Sequence, residues 1–445
     1  MKITPRKPFT VSPLGRFGSL ALCLALLSGC GSSSSSQDDL DASSSSSSVE
    51  SSSSSSAESS SSSSEESSES SSAESSQSSS ASSQAYGDGT QDSLYAQADF
   101  PVGVAVQVAN WEPFSLFTAP DAADRQALVA RHFSEMTATN VMKMSYMRTD
   151  DGGFTDAPAR PLIDFAKANG IKVHGHALVW HSDYQVPDLF RDYEGDDWQG
   201  LVTEHVQGVM DLFDDTVVSW DVVNEAVEAR TSDGWRQDSV FYQFAPPEAG
   251  DVPEFIEVAY SAAREANPDV ILYYNDYDNT ANTERLEKTL EIADHLLEQD
   301  LIDGIGFQMH AYMDYPSIDQ FRNAFQEVVD RELMVKVTEL DISIVNPYGS
   351  GEPPEAPEFD QELADAQGVR FCQIAEAYMD VVPPELRGGF SVWGLTDDDS
   401  WLMQAFEQAT GAEYDQVYPV LFDENLQAKP AFFGVKRAFR EEPCE

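Results

Sequence analysis

Two glutamates stand where chemistry is possible. In 217-VVSWDVVNEAV-227 an apolar run that reads as protein interior ends in Asn224 and Glu225, and then apolar character resumes. In 335-VKVTELDI-342 a second such run carries Glu339 and Asp341. A carboxylate at the end of a buried segment is costly unless something pairs or uses it. Either glutamate alone can be read as a structural carboxylate in an ion pair. Two opposed carboxyls, however, can cleave a glycosidic bond. One, protonated, gives its proton to the leaving oxygen, while the other, ionised, attacks the anomeric carbon. That division requires surroundings that push the two pKa values apart.

The elements that must hold them are legible as a pattern. From about residue 95, short β-branched runs alternate with longer amphipathic stretches. The candidate strands are 102–108, 141–146, 171–179, 217–223, 270–275, 304–310, 335–342 and 390–395, with helical patterns such as 122–136, 284–300 and 364–379 between them. Near-continuously apolar strands alternating with helices make a parallel sheet covered on its outer face. Eight such units predict an α/β chain folded as a (β/α)8 TIM barrel. An open doubly wound sheet fits less well, because no Gly-rich phosphate loop follows the first strand. A barrel places functional groups at the C-terminal strand ends. In order, those ends supply Asn140 and Lys143, then His176, Trp180 and His181, then Asn224 and Glu225. Asn275, Asp276 and Tyr277 follow, then Gln308 and His310, then Glu339 and Asp341, and finally Trp393. Polar and aromatic groups thus converge on one rim, with Glu225 and Glu339 across the mouth from each other.

The formal net charge of −51 argues against a nucleic-acid surface and against basic-patch binding to anionic lipid. Residues 1–29 read as a signal peptide: Lys2, Arg6, Lys7 and Arg16 precede the apolar 17-FGSLALCLALL-27, which is too short to span a bilayer. The following 27-LSGC-30 resembles a bacterial lipoprotein signal, which would make Cys30 a lipidated N-terminus. Gly31 after it favours the outer membrane and a surface-exposed anchor. Residues 30–94 then form a Ser-rich, acidic segment with too few apolar side chains to bury a core, expected to be a disordered tether. Residues 95–445 are the expected catalytic domain. Of the remaining cysteines, Cys372 and Cys444 can pair in an oxidising compartment, and their spacing leaves that open.

The segments 220-WDVVNEAV-227, 306-GFQMH-310, 338-TELDIS-343 and 392-VWGLTDDDSW-401 resemble the signature segments of glycoside hydrolase family 10. So do 175-GHALVWHS-182, 274-YNDYD-278 and 421-LFDENLQAKPAF-432, and the likeness runs over roughly residues 95–440. The resemblance implies a retaining endo-β-1,4-xylanase that needs no cofactor and no metal, takes xylan or xylo-oligosaccharides, and works as a monomer held to the membrane only by its lipid. It implies Glu225 as acid/base and Glu339 as nucleophile, with Asn224 on the sugar 2-OH and His310 and Asp341 supporting Glu339. Asn140, Lys143, His176, Tyr277 and Gln308 become sugar ligands, and Trp180, Trp393 and Trp401 walls against sugar faces. Two positions depart from the family pattern. Thr139 stands where a carboxylate is usual, and Asp183 where a glutamine is usual. Both put ordinary glycone-side specificity in doubt.

Three other readings compete. His174 and His176 alternate on one strand face near His181, a spacing that zinc hydrolases use, although no complete ligand set accompanies them. A surface lipoprotein that binds xylan with weakened catalysis would fit the tether and Thr139. A related β-glucan hydrolase would keep the mechanism and change the substrate.

Overall fold

The structure, a computed structural model, describes residues 93–108, 114–149, 151–349 and 351–445. The expected signal at 1–29, the lipid site Cys30 and the Ser-rich segment up to Asp92 lie outside the described residues. Ser93 and Leu94 are buried, and Leu94 joins the main apolar core.

Among the described residues nine strands run parallel: β1 (Val102–Val106), β2 (Glu135–Ala138), β3 (Lys172–Trp180), β4 (Val217–Asn224), β5 (Ile271–Asp276), β6 (Gly304–Phe307), β7 (His310–Tyr312), β8 (Met334–Ser343) and β9 (Arg387–Val392). β6 pairs with β8, and β9 returns to β1, so eight strands close the barrel. β7 continues the β6 position further up β8, where His310 comes into register with Asp341. The sequence pattern predicts one strand over 304–310. The structure breaks it at Gln308 and Met309, the latter in the left-handed region with φ 63.

The second strand differs more. It is predicted at 141–146 and lies at Glu135–Ala138, while the helix predicted over 122–136 stops at His132. The stretch 141–146 is instead a loop ending in a short 3-10 turn, with Val141, Met142 and Met144 packed into the core. The physical reason is Glu135. It enters the barrel interior as a charge, 1% exposed, and pairs there with Lys336 of β8, 0% exposed. A buried ion pair across the lumen carries no hydrophobic signature, so a four-residue strand that begins with it reads as the end of a helix. The remaining strands lie within a few residues of their expected positions.

The helices wrap the barrel. Gln361–Val381 packs against Pro430–Phe439 at a close crossing, where a Cβ on Gly434 would lie 2.0 Å from the Gly368 carbonyl oxygen. Cys372, in the first of these helices, forms a disulfide with Cys444 beyond the second. A smaller apolar cluster of Tyr312, Val345, Tyr348, Leu402, Phe406 and Val417 supports Trp401. Among the described residues no helix is long and apolar enough to cross a membrane.

Candidate active site

Glu225 follows the last residue of β4 and adopts a left-handed backbone with φ 58. Its N–H donates to the Asn275 carbonyl at 2.9 Å, which ties it to the end of β5. One carboxylate oxygen accepts from Trp180 Nε1 at 3.0 Å. The other accepts from Gln308 Nε2 at 3.0 Å and from Asn224 Nδ2 at 3.1 Å. Burial raises the Glu225 carboxyl, but the charges of His181 and Arg236 and the donors Gln308 and Trp180 outweigh it and bring it down to about 2. His181 is itself pushed down to about 3 by burial and by Arg236. Its charge is therefore absent at neutral pH, where Arg236 and the hydrogen bonds hold Glu225 ionised.

Glu339, on β8, is 4% exposed. Oε1 accepts from Asn275 Nδ2 at 2.8 Å, and His310 Nε2 lies 3.5 Å from Oε2. The same Asn275 nitrogen donates to Asn224 Oδ1 at 3.0 Å, so two amide side chains link the two glutamates. Thr338 donates to Asn275 Oδ1 at 2.7 Å and fixes that amide. On the other side, His310 Nδ1 meets Asp341 Oδ2 at 3.0 Å, and Trp401 Nε1 donates to the same oxygen at 3.0 Å. Burial opposes the charged imidazole, but Asp341 and Glu339 outweigh it and raise His310 to about 10. An imidazolium with a carboxylate at each nitrogen donates from both.

That shift makes a pH prediction. His310 is raised above its ordinary value of 6.5, so the stability it contributes is complete below about pH 6.5 and is lost as pH climbs through about 10. The melting temperature gap between the parent and His310→Gln should be wide at pH 7 and narrow at pH 10.5. An equal gap at both would contradict a charged imidazole.

Around this pair the rim fills in. Lys143 Nζ lies over the Trp180 ring at 4.4 Å and 3.4 Å from Asn140 Oδ1. Burial lowers Lys143 to about 8, although Glu339 and Glu225 pull it upward. His176 Nδ1 meets Asp221 Oδ2 at 2.7 Å, and its ring stands edge-on to Trp393 at 5.4 Å. His174 approaches the same Asp221 oxygen at 3.0 Å, so the two histidines considered for a metal share one carboxylate between them.

The sequence model of glycosyl hydrolase family 10 matches residues 92–438. The chain belongs to that family. It is 40% identical over 356 residues to endo-beta-1,4-xylanase Xyn10C of Cellvibrio japonicus, a match that covers 78% of this chain and 57% of that protein. This chain thus spans less than two thirds of that relative's length. Native xylanase 10C from C. japonicus superposes with a TM-score of 0.73 at 38% identity, over 82% of this chain and 76% of that one. A variant of it in complex with xylopentaose gives 0.73 at 39% identity, over 81% and 71%.

In this family-10 barrel the predicted residues divide by position. Asn224, Glu225, Gln308, Glu339, His310, Asp341, Trp180 and Trp401 form one bonded network, joined across its middle by Asn275. Asn140, Lys143, His176 and Trp393 lie around it. Tyr277, expected to touch sugar, is 5% exposed; its hydroxyl accepts from Arg236 and its ring lies 4.0 Å from the Arg285 guanidinium. It therefore braces the Glu225 loop. Thr139 is turned to Gln107, whose Oε1 accepts from Thr139 Oγ1 at 2.7 Å. Asp183 is exposed, and its carbonyl accepts from Arg191.

Sequence reasoning missed the roles of Asn275, Asp221 and Arg236. Asn275 was visible as a polar strand end. Asp221 was visible as a carboxylate inside an apolar strand, next to the strand that carries His174 and His176. Arg236 lies in a loop with no pattern to mark it.

Proposed function

We propose that this chain is a retaining endo-β-1,4-xylanase in which Glu225 is the acid/base and Glu339 the nucleophile. The observation that carries the reading is the asymmetric setting of two linked carboxylates. Glu339 faces the His310 cation and one amide, whereas Glu225 is met by three neutral donors that sugar hydroxyls can replace. Glu339 attacks the anomeric carbon, and the bond to the leaving oxygen breaks as that oxygen takes the Glu225 proton. Water then gives its proton to Glu225 and attacks the glycosyl-enzyme, freeing Glu339 with net retention. The carboxyl groups of a retaining pair stand about 5–5.5 Å apart. In the free site Glu225 is ionised. Bound sugar must therefore displace water and draw Asn224 and Gln308 toward its hydroxyls, leaving burial to raise the Glu225 carboxyl for proton donation.

Xylan is the substrate class supported by the likeness to xylanases, one of them solved with xylopentaose. Asn140, Lys143, His176 and Gln308 serve as hydroxyl ligands, and Trp393 and Trp401 as walls against sugar faces. With Thr139 committed to Gln107, the glycone side lacks the carboxylate usual at that position and should bind its sugar differently from a family member that has one. Residues 85–445 should release short xylo-oligosaccharides from unsubstituted xylan, glucuronoxylan or arabinoxylan, and the preferred polymer would define the glycone change. Products from mixed-linkage glucan alone would overturn the substrate. Binding of xylan without any product would overturn the enzyme.

The anchor reading rests on 27-LSGC-30 and the Ser-rich stretch after it. We place the domain on the outer membrane through a lipid on Cys30. Cys30→Ala should move the enzyme out of the membrane fraction; a variant that stays with the membrane would refute the anchor.

A further inference from the structure

The loop after Glu225 doubles back on itself. Val227 and Trp235 form an antiparallel bridge, and Arg236 N–H donates to the Ala226 carbonyl at 3.0 Å. This returns the Arg236 side chain, 2% exposed, to a place behind Glu225. Its Nε donates to the Glu225 carbonyl at 2.9 Å. One terminal nitrogen donates to the Val227 carbonyl at 3.3 Å and to the Tyr277 hydroxyl at 3.1 Å, and the other lies 3.5 Å from Glu228. Arg285 joins from the helix after β5, donating to the Val227 carbonyl at 2.6 Å and to Asp276 at 2.9 Å.

We infer that Arg236 is a positioning residue that holds Glu225 in its proton-donating pose, a role that rests on the acid/base reading of Glu225. The left-handed backbone at Glu225 is unfavourable for a residue with a Cβ and persists only where its surroundings impose it. The two backbone hydrogen bonds of Glu225 impose it, one from its N–H to β5 and one to its carbonyl from Arg236. A guanidinium can meet a carbonyl on one edge and a tyrosine hydroxyl on another; an ammonium cannot hold that fork. The positive charge also lies behind the carboxylate that the first half of the reaction leaves on Glu225 and the second half uses as a base. Without Arg236 the loop should relax and the carboxyl should swing away from the leaving oxygen, while Glu339 keeps Asn275 and His310.

General acid catalysis is worth about 10²–10⁴-fold and matters most when the leaving group is poor. Arg236→Gln should therefore lose at least about tenfold in kcat/KM on xylo-oligosaccharides. On 2,4-dinitrophenyl β-xylobioside, whose leaving group departs without a proton, it should stay within about threefold. Arg236→Lys should fall between the parent and Arg236→Gln on the first substrate and match the parent on the second. Equal losses on both substrates would reduce Arg236 to a loop brace and overturn the inference. If Arg236→Gln does not fold, the ratio measured for Arg236→Lys decides by the same criterion. Glu225→Ala is the control for the underlying reading. If that variant shows no leaving-group dependence, the acid/base assignment fails; if it does and Arg236→Gln does not, only the inference on Arg236 fails.

Discussion

Glu339→Ala should lower turnover on xylan by at least about 10⁴-fold while leaving oligosaccharide affinity within a few fold, because the reaction loses the atom that forms the covalent bond and the sugar loses few of its contacts. The variant should fold, since His310 keeps Asp341 and Asn275 keeps Asn224 as partners. The decisive observation is the product formed with added azide and an activated aryl xylobioside. Azide can enter the space the carboxylate leaves and attack the anomeric carbon from that face, giving an α-glycosyl azide by a single inversion. A β-azide, or residual turnover on xylan above about one part in a hundred, would assign the nucleophile elsewhere. The same treatment of Glu225→Ala should give the β-azide, because there the glycosyl-enzyme still forms on Glu339 and azide intercepts it in the second step.

The second large effect concerns stability. Cys372 and Cys444 close a loop with a sequence separation of 72. The chain-entropy relation places such a bridge at about 4 kcal/mol. Cys444→Ser releases the chain end beyond the helix Pro430–Phe439, which otherwise rests on Gln361–Val381 through the Gly368 and Gly434 contact. The expected result is a melting temperature lower by several degrees, with turnover at 25 °C at the parent level. Reductant should lower the parent to the same point and leave the variant unchanged. A parent insensitive to reductant would mean that the bridge contributes nothing to stability.

How far these properties were legible depends on the kind of signal each residue sends. Glu225 and Glu339 are conspicuous because a carboxylate interrupts an apolar run, and the barrel pattern then puts them on one rim. His310 was legible as a strand end, but its place beside Asp341 depends on the break at Met309, which a continuous strand over 304–310 would not have. β2 was misplaced because Glu135 spends its charge inside the lumen, where pattern reasoning expects apolar side chains. Tyr277 was assigned to sugar from its motif, and only coordinates show its hydroxyl taken by Arg236. The disulfide was open in the sequence because separation along the chain says nothing about the distance between a helix and the chain beyond another. Arg236 left no trace, since its value lies in a hairpin-like return that one arginine in a polar loop does not announce.

The Glu135–Lys336 pair also bears on how the barrel assembles. The two residues are 201 positions apart, on β2 and β8, and both are buried in the closed barrel. A half-barrel made from either end of the chain would hold one of these charges with no counterpart and could not close an apolar lumen over it without the penalty of burying it unpaired. Partial structures are thereby penalised, and the last strands must arrive before the first can settle. Fragments split between β5 and β6 should be unfolded apart and gain structure only when mixed, and the intact domain should unfold in one cooperative transition.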